Sequence, residues 1–135
     1  IEAYDKKIDF TCVSMGNPHA VTIVDDVKNF DVKKYGKDIE VNKIFPQKAN
    51  IEFAEIVDRN TIKMRVWERG TGETLACGTG SCATAVACAL NGVTDRNVVI
   101  ELLGGNLEIE WNENDNHVYM TGPAVTVFEG ELLEK

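Results

Sequence analysis

Residues 80–91 read Gly-Ser-Cys-Ala-Thr-Ala-Val-Ala-Cys-Ala-Leu-Asn, and Gly92 follows them. This stretch has no charged side chain, and most of its residues are small. A helix that is apolar on every side must be buried on every side, and a glycine directly after it is typical of a helix end. We therefore predict a helix over 80–91 at the centre of the fold, where its small side chains allow other backbone to approach closely from several directions.

The rest of the chain has the apolar and alternating patterns of β-strands, separated by turns. The clearest alternation lies in 61–68, where Ile62, Met64 and Val66 would share one face. A polar turn at 58–60 precedes it and predicts a hairpin with the strand before. The predicted strands are Phe10–Met15, Ala20–Val24, Ile51–Val57, Thr61–Glu68, Val98–Leu102, Asn106–Trp111, Val118–Thr121 and Val125–Phe128.

A second helix is predicted over Val32–Val41, because Asp31 can cap its first turn and its apolar residues share one face. No repeat, low-complexity tract or linker interrupts the 135 residues, so we expect a single domain. The predicted fold class is α+β. A strongly curved, barrel-like sheet of mixed or antiparallel strands would wrap around the central apolar helix.

The composition limits the classes of partner. A formal net charge of -8 disfavours nucleic acid and anionic membranes, which would repel such a surface. A small polar ligand fits the composition better. No apolar run has the length of a membrane span, and the first residues lack the pattern of a signal peptide, so we expect a cytoplasmic protein.

The chain has four cysteines, at positions 12, 77, 82 and 88. Three of them fall in a short segment that includes the predicted helix, where local disulfides would have poor geometry. There is no Cys-x-x-Cys pair and the two histidines are distant, so we predict no metal site. Cys82 and Cys88 would be inert thiols within the helix. We also expect Cys12, on a strand, to lie in the core.

Cys77 stands in a Cys-Gly-Thr-Gly turn directly before the predicted helix. The first turn of a helix has unpaired N–H groups and a positive partial charge, so it favours anions. The same charge would stabilise a thiolate, and we therefore predict that Cys77 has a lowered pKa and is the most readily alkylated of the four cysteines. The alternative is a buried thiol before an ordinary helix cap.

Residues 67–83 read Trp-Glu-Arg-Gly-Thr-Gly-Glu-Thr-Leu-Ala-Cys-Gly-Thr-Gly-Ser-Cys-Ala and closely resemble the signature of diaminopimelate epimerases. The segments 15–21 and 49–53 resemble the family's asparagine and histidine loop and its further ligand asparagine, in the family's order and spacing. The resemblance continues through 121–124 and 127–131. It implies a diaminopimelate epimerase-like fold and the epimerisation of LL-diaminopimelate to meso-diaminopimelate, a step in lysine and peptidoglycan biosynthesis.

The resemblance covers essentially the whole chain but only half of the enzyme. Members of the family have two similar halves, and the first supplies a second catalytic cysteine in a Cys-Gly-Asn turn, which nothing in residues 1–135 matches. The chain would then be the C-terminal catalytic half, either a fragment, a separately expressed domain or one piece of a cleaved protein. Its partner would be the N-terminal half, and the isolated chain would be inactive. The resemblance also suggests a homodimer.

The resemblance implies three catalytic residues and no cofactor, since the family works without pyridoxal phosphate. Cys77 would accept the α-proton of the substrate in one direction and return it in the other. Glu68 would lie next to that thiol and take part in proton handling and substrate binding. His19 resembles a histidine near the other, missing cysteine. The N–H groups of Gly78 and Thr79 would hold the reacting α-carboxylate.

The far end of diaminopimelate carries a second ammonium and carboxylate. The resemblance assigns Arg69 to this distal carboxylate, for which a guanidinium has the right geometry. Asn17 and Asn50 would complete the distal pocket. The sequence leaves other readings open: Glu68 and Arg69 are surface charges in many proteins, and Asn17 also fits a turn beside glycine and proline.

The resemblance also makes a prediction for the tail at about residues 124–135. In the family the last strand crosses back to the first half of the enzyme. Without that half, Val125, Val127 and Phe128 would present apolar side chains and an unpaired strand edge. Disorder, docking on the same domain and pairing with another molecule are the open outcomes, and the apolar content disfavours full disorder.

Three alternatives to this function remain at the level of the sequence. Proline and hydroxyproline racemases resemble the fold and use a Cys-Gly-Thr-Gly turn, but they would not need Arg69 and two asparagines for a second charged end. A phenazine-biosynthesis-type isomerase is disfavoured by Cys77. A binding domain that kept only the anion site, without catalysis, is also consistent with the residues.

Overall fold

The computed structural model describes all residues from 1 to 135 and contains ten strands and two helices. The strands are β1 (Glu2–Ala3), β2 (Lys6–Lys7), β3 (Thr11–Ser14), β4 (Pro18–Ile23), β5 (Asn50–Asp58), β6 (Thr61–Glu68), β7 (Gly72–Thr74), β8 (Asn97–Leu102), β9 (Gly105–Trp111) and β10 (Val118–Thr121). The helices are α1 (Val32–Glu40) and α2 (Gly78–Leu90).

The predicted fold class is confirmed: the chain is α+β, with a curled mixed sheet and two helices. The main sheet has eight strands in the order β10-β9-β8-β6-β5-β4-β3, and β7 pairs with the free part of β6. Strands β1 and β2 form a separate hairpin. The seven predicted strands up to residue 121 are confirmed with ends shifted by at most two residues. Strands β1, β2 and β7 were not predicted.

Two parallel pairs explain why the helices lie on opposite faces of the sheet. The pair β4·β5 is connected through α1, and the pair β6·β8 through α2, while the other pairs are antiparallel. Both crossovers, from β4 to β5 and from β6 to β8, move in the same direction across the sheet. The two pairs of strands point in opposite directions, because β5 and β6 are antiparallel. Right-handed crossovers then put α1 and α2 on opposite faces.

Helix α2 is the central element, as predicted. Every residue from Gly80 to Cys88 is buried. The alanine side chains pack against the face of the sheet that carries Ile62, Met64 and Val66, and against Ile109 of β9. The predicted alternation in β6 is therefore confirmed. The helix begins at Gly78, two residues before the predicted start, because Cys77 itself is the residue that caps it.

Helix α1 covers the other face. Its apolar stripe of Val32, Tyr35 and Ile39 packs against Ile51 and Phe53 of β5. The carboxylate of the preceding aspartate at 31 accepts a hydrogen bond from the N–H of residue 34, which confirms the predicted cap. No helix in the chain is both long enough and apolar enough to span a membrane.

Cys12 corrects the sequence prediction, because it is exposed rather than in the core. It lies on β3, which is an edge strand and pairs only with β4. Side chains alternate along a strand, and Val13 takes the position that packs on the core beside α2. The neighbouring Cys12 must then point to solvent.

The predicted strand Val125–Phe128 is wrong for this chain. Residues 122–135 have no regular secondary structure and make no hydrogen bond to the rest of the chain. Val127 is 89% exposed and Phe128 is 83% exposed, so the tail does not dock on its own domain. A strand needs a neighbour to satisfy its backbone groups, and none of the sheet edges reaches this segment.

Candidate functional site

The N-terminus of α2 brings most of the predicted site residues together. Cys77 caps this helix: its sulfur accepts the N–H of Gly80 at 3.3 Å, and its carbonyl oxygen accepts the N–H of Ser81 at 2.9 Å. The N–H groups of Gly78 and Thr79 have no intrahelical acceptor, because the helix starts there. The result is a half-buried thiol beside two N–H groups that can bind an anion.

At Gly80 the side chains of Glu52 and Cys77 both come close to the backbone of α2. A Cβ atom added to Gly80 would lie 2.7 Å from Oε1 of Glu52 and 3.1 Å from the sulfur of Cys77. Both distances are shorter than normal contacts of a Cβ atom, so a side chain at position 80 would displace the Glu52 carboxylate and the thiol. Its lack of a side chain is what allows a buried carboxylate of β5 and the thiol to approach the same turn of α2.

The predicted lowering of the Cys77 pKa is wrong. Burial raises the pKa of this thiol, and the nearby carboxylates of Glu68 and Glu52 raise it further. Hydrogen bonds from the N–H of Gly80 and from Thr79 lower the pKa, but each by less than burial raises it. The helix terminus therefore stabilises the thiolate too weakly to offset desolvation and two negative neighbours.

The expected order of cysteine reactivity changes with these findings. Burial raises the pKa of Cys88 to about 12 and also raises the pKa of Cys82, so the prediction that both are inert stands. Cys12, by contrast, is exposed. Because exposure and thiolate content both govern alkylation, Cys12 is a competitor of Cys77 for any thiol reagent.

His19 lies in the same cluster as Cys77. Its Nδ1 is 2.6 Å from Oε1 of Glu52, and its Nε2 is 3.1 Å from both Oδ1 of Asn17 and Oγ1 of Thr79. The side-chain amide of Asn17 donates to Oγ1 of Thr79 at 3.3 Å. That oxygen is 3.8 Å from the sulfur of Cys77. A chain of polar contacts thus connects Glu52, through His19 and Thr79, to the thiol.

Glu52 is a member of this cluster that the sequence analysis did not assign. It is fully buried on β5, and one of its oxygens, Oε2, has no hydrogen-bond partner. Burial raises the pKa of Glu52 to about 7, although its hydrogen bond with His19 acts in the opposite direction. The available signal was a carboxylate between Ile51 and Phe53 in an apolar strand, since an unpaired charge is rarely buried.

Glu68 is the last residue of β6 and Arg69 follows it, and neither makes a hydrogen bond to the thiol. Oε1 of Glu68 accepts a hydrogen bond from Oγ1 of Thr74 at 2.9 Å, and no direct hydrogen bond connects it to Cys77. Arg69 is exposed, and its guanidinium donates to the carbonyl of Gln47 at 3.3 Å. Glu68 therefore acts on Cys77 through its charge.

Asn50 is buried between two loops of the cluster. Its Oδ1 accepts the backbone N–H of Arg69 at 2.8 Å, and its Nδ2 donates to the carbonyl of Pro18 at 3.2 Å. One side chain thus holds the segment before His19 against the segment after Glu68. The second N–H of the Asn50 amide makes no hydrogen bond within the chain.

A cleft of about 870 Å³ lies elsewhere in the chain and contains none of the predicted site residues. It is an open groove between the start of α1 and the end of α2, with Ala87 and Asn91 on one wall. Most of the residues that the sequence predicts for the site lie at the other end of α2, where the thiol and the unpaired N–H groups meet.

Comparison with known proteins agrees with the motifs in this cluster. The family model described as diaminopimelate epimerase matches residues 11–127. The chain is similar to the diaminopimelate epimerase of Methanococcus maripaludis, with 58% identity over 98% of this chain and 48% of the relative. It is similarly 61% identical to that of Acetivibrio thermocellus, over 98% of this chain and 47% of the relative. The chain spans about half the length of the relatives that it matches.

Solved structures support the fold. A phenazine biosynthesis protein of the PhzF family from Enterococcus faecalis has a TM-score of 0.56 and 18% identity, over 78% of this chain and 39% of its own. One from Bacillus anthracis has a TM-score of 0.53 and 21% identity, over 82% and 37%. At these identities the likeness concerns the fold alone. The family follows from the sequence matches: the chain belongs to the diaminopimelate epimerase family.

Proposed function

We propose that this chain supplies one catalytic cysteine and much of the substrate pocket for the cofactor-independent epimerisation of LL-diaminopimelate to meso-diaminopimelate. The observation that carries the proposal is the N-terminus of α2, where the sulfur of Cys77 lies beside the unpaired N–H groups of Gly78 and Thr79. Family membership identifies the substrate class, and the relatives with whole-chain matches bear the name diaminopimelate epimerase.

The reaction exchanges a proton between two faces of one carbon. A base takes the α-proton from one face, and an acid gives a proton to the opposite face. In this proposal the N–H groups of Gly78 and Thr79 bind the α-carboxylate, which takes on negative charge as the α-proton leaves. Cys77 then lies on one face of the α-carbon, and the thiol on the other face comes from outside these 135 residues.

The raised pKa of Cys77 fits one half of this exchange. At neutral pH a thiol of raised pKa is protonated. It can give its proton to one face of the α-carbon while the cysteine on the other face removes the α-proton. The thiolate that forms is then next to the helix N-terminus and the N–H of Gly80, which stabilise it. In the reverse direction the same thiolate is the base.

The remaining site residues support specificity for a substrate with two charged ends. Arg69 offers an exposed guanidinium to the distal carboxylate. Asn17 and Asn50 offer amide groups to the same end of the substrate, and the hydrogen bond from the Arg69 backbone N–H to Oδ1 of Asn50 holds Arg69 beside Asn50. A racemase for proline, which has no second charged end, has no use for this set.

The test is reconstitution with the N-terminal half of the Methanococcus maripaludis relative. We expect the 135-residue chain alone to give no conversion of LL-diaminopimelate to the meso form, because one thiol serves one face only. Mixing the two halves should restore conversion and exchange of the α-proton with deuterated water. Cys77→Ser should abolish this activity, and Cys12→Ser, the matched control at an exposed thiol, should keep it.

Three outcomes would contradict the proposal. Full turnover by the isolated chain would exclude a mechanism with two thiols. Unchanged activity in reconstituted Cys77→Ser would exclude Cys77 as the acid and base. Turnover of proline in place of diaminopimelate would favour the racemase alternative.

A further inference from the structure

The buried pair of His19 and Glu52 deepens the proposed function, on which it rests for the use of Cys77 as acid and base. Both side chains are 0% exposed, and Nδ1 of His19 is 2.6 Å from Oε1 of Glu52. They belong to neighbouring parallel strands, β4 and β5. Neither the sequence motifs nor the proposed mechanism gives Glu52 a role.

Counting donors and acceptors around His19 identifies where its protons are. Nε2 faces Oδ1 of Asn17, which can only accept, and Oγ1 of Thr79, which already receives a hydrogen bond from the amide of Asn17. An Nε2 without a proton would face the Asn17 oxygen as a second acceptor. A protonated Nε2 satisfies both neighbours, so the contacts favour a donor at this position.

The net charge of the pair leads to the same assignment. If Nε2 had no proton, a neutral imidazole would donate from Nδ1 to Oε1, and Glu52 would either be ionised, which buries one negative charge, or hold its proton on Oε2, which has no hydrogen-bond partner. Burial of an uncompensated charge is strongly unfavourable. With a proton on Nε2 and a second one shared between Nδ1 and Oε1, the pair carries no net charge. The raised pKa of Glu52 agrees with this, since burial favours retention of that proton.

We propose that Glu52 is a positioning residue of the site: it shares one buried proton with Nδ1 of His19, keeps Nε2 of His19 protonated, and so directs the hydroxyl proton of Thr79 towards the sulfur of Cys77. Oγ1 of Thr79 accepts from His19 and Asn17, so within the chain the nearest remaining acceptor for its own proton is the sulfur at 3.8 Å. Glu52 thereby acts on the thiol across two intervening side chains.

This assignment gives the thiolate of Cys77 a second hydrogen-bond donor besides the N–H of Gly80. It also explains why a carboxylate is buried in β5 beside Gly80, at a place where its charge alone would disfavour the thiolate. A neutral pair of His19 and Glu52 orients the hydroxyl of Thr79 and places little negative charge near the thiol.

The first experiment is a ¹H–¹⁵N correlation spectrum of the imidazole groups in the full 135-residue chain at neutral pH. We expect His19 to show a protonated Nε2 and a strongly deshielded proton on the Nδ1 side, the signature of a short shared hydrogen bond. His117, exposed in a loop, provides the comparison signal in the same chain. A His19 with a bare Nε2 and a proton only on Nδ1 would overturn the proposal.

Two carboxamide variants on β5 test whether Glu52 is responsible. Glu52→Gln keeps the size of the side chain but removes the group that shares the proton, so the deshielded signal should disappear. Glu55→Gln is the matched control: this residue lies on the same strand, and its carboxylate accepts the N–H of Val27. It should leave the His19 signals unchanged. Persistence of the deshielded proton in folded Glu52→Gln would also overturn the proposal.

The link from Thr79 to Cys77 is tested separately, so that it does not depend on the folding of Glu52→Gln. In a Cys12→Ser background, Thr79→Val should slow alkylation of Cys77 at neutral pH by about fivefold, because a net hydrogen bond contributes roughly 1 kcal/mol. Thr79→Ser, which retains the hydroxyl, should restore the rate. Equal rates in Thr79→Val and the parent chain would show that the hydroxyl does not donate to the sulfur.

None of these measurements requires diaminopimelate or turnover. A failure here therefore leaves the proposed epimerisation standing. Conversely, a protonated Nε2 and a shared proton in a chain that never reconstitutes activity would confirm the pair and count against the proposed function.

Discussion

At the scale of single residues, the state of Cys77 is a balance between opposing neighbours. The N–H of Gly80 and the hydroxyl of Thr79 favour the thiolate, whereas burial, the carboxylate of Glu68 and, in its ionised form, Glu52 favour the thiol. Glu68 is the member of this set that can be neutralised with least disturbance. Its hydrogen bond from Thr74 ends on an oxygen that glutamine also has.

We predict that Glu68→Gln lowers the pKa of Cys77, because a charge that raises this pKa is removed. A lower pKa increases the thiolate fraction at neutral pH, so alkylation should become severalfold faster and its pH profile should move to lower pH. The measurement is the rate of alkylation against pH, with peptide mapping, in a Cys12→Ser background.

Glu108→Gln is the control, since Glu108 is an exposed carboxylate on β9. It should leave the profile where it is. A shift to higher pH in Glu68→Gln would mean that Glu68 stabilises the thiolate, against the sign that its charge requires.

At the scale of elements, α1 supports the site from the opposite face of the sheet. The carboxylate of Glu40, the last residue of α1, accepts Nε1 of Trp67 at 2.8 Å and the N–H of Gly70 at 2.6 Å. Gly36 of α1 lies directly on Trp67, where an added Cβ would be 2.6 Å from the Trp67 side chain. Helix α1 therefore fixes both the end of β6 and the turn after it, which carry Glu68 and Arg69.

Glu40→Ala should destabilise the chain by about 3 kcal/mol, because hydrogen bonds to a charged group contribute roughly 1.5–3 kcal/mol each and their donors would be left unpaired. Urea unfolding measures the change. Asp38→Ala, an exposed position on the same helix, should change stability by less than about 0.5 kcal/mol. Equal effects at the two positions would mean that α1 does not anchor the turn.

The elements also separate what the sequence predicts from what it does not. The alternation in β6 and the uncharged stretch of α2 were sufficient to predict the central helix and the sheet around it. An alternating strand buries one face, and a helix that is apolar on every side is buried on every side. The three-residue strand β7 has too few residues for any pattern. The exposure of Cys12 depends on the position of β3 at the edge of the sheet, and the order of the strands in a sheet is not visible in the sequence.

The candidate site shows the same division. Cys77, Gly78 and Thr79 are adjacent in the sequence, so a motif was enough to group them. The contact between His19 and Glu52 joins residues 33 positions apart, and it arises only because β4 and β5 pair in parallel. The raised pKa of Cys77 depends on burial and on carboxylates from two other strands, which the helix terminus alone does not reveal.

At the scale of the whole molecule, the tail is the segment without a place in this fold. Leu132 is 97% exposed and Leu133 is 86% exposed. The apolar side chains at positions 125, 127 and 128 are exposed to a similar extent. We predict that adding the N-terminal half of a relative in trans protects the amides of Val125 to Glu129 from hydrogen exchange. Pairing with a strand would supply the missing acceptors.

The control segment for this experiment is β10, which is already paired with β9 and should show no further protection. If activity returns while exchange in the tail stays unchanged, the two halves associate through another surface.

The position of α2 within the sheet has a consequence for how the chain is made. Strands β3 to β6 precede this helix, and β8, β9 and β10, which complete its cover, are synthesised after it. A nascent chain that has emerged from the ribosome only as far as Gly92 therefore holds an uncharged helix with one side uncovered. We expect ribosome-bound chains of that length to recruit chaperones that bind apolar segments, and to release them once β10 has emerged and the helix is enclosed.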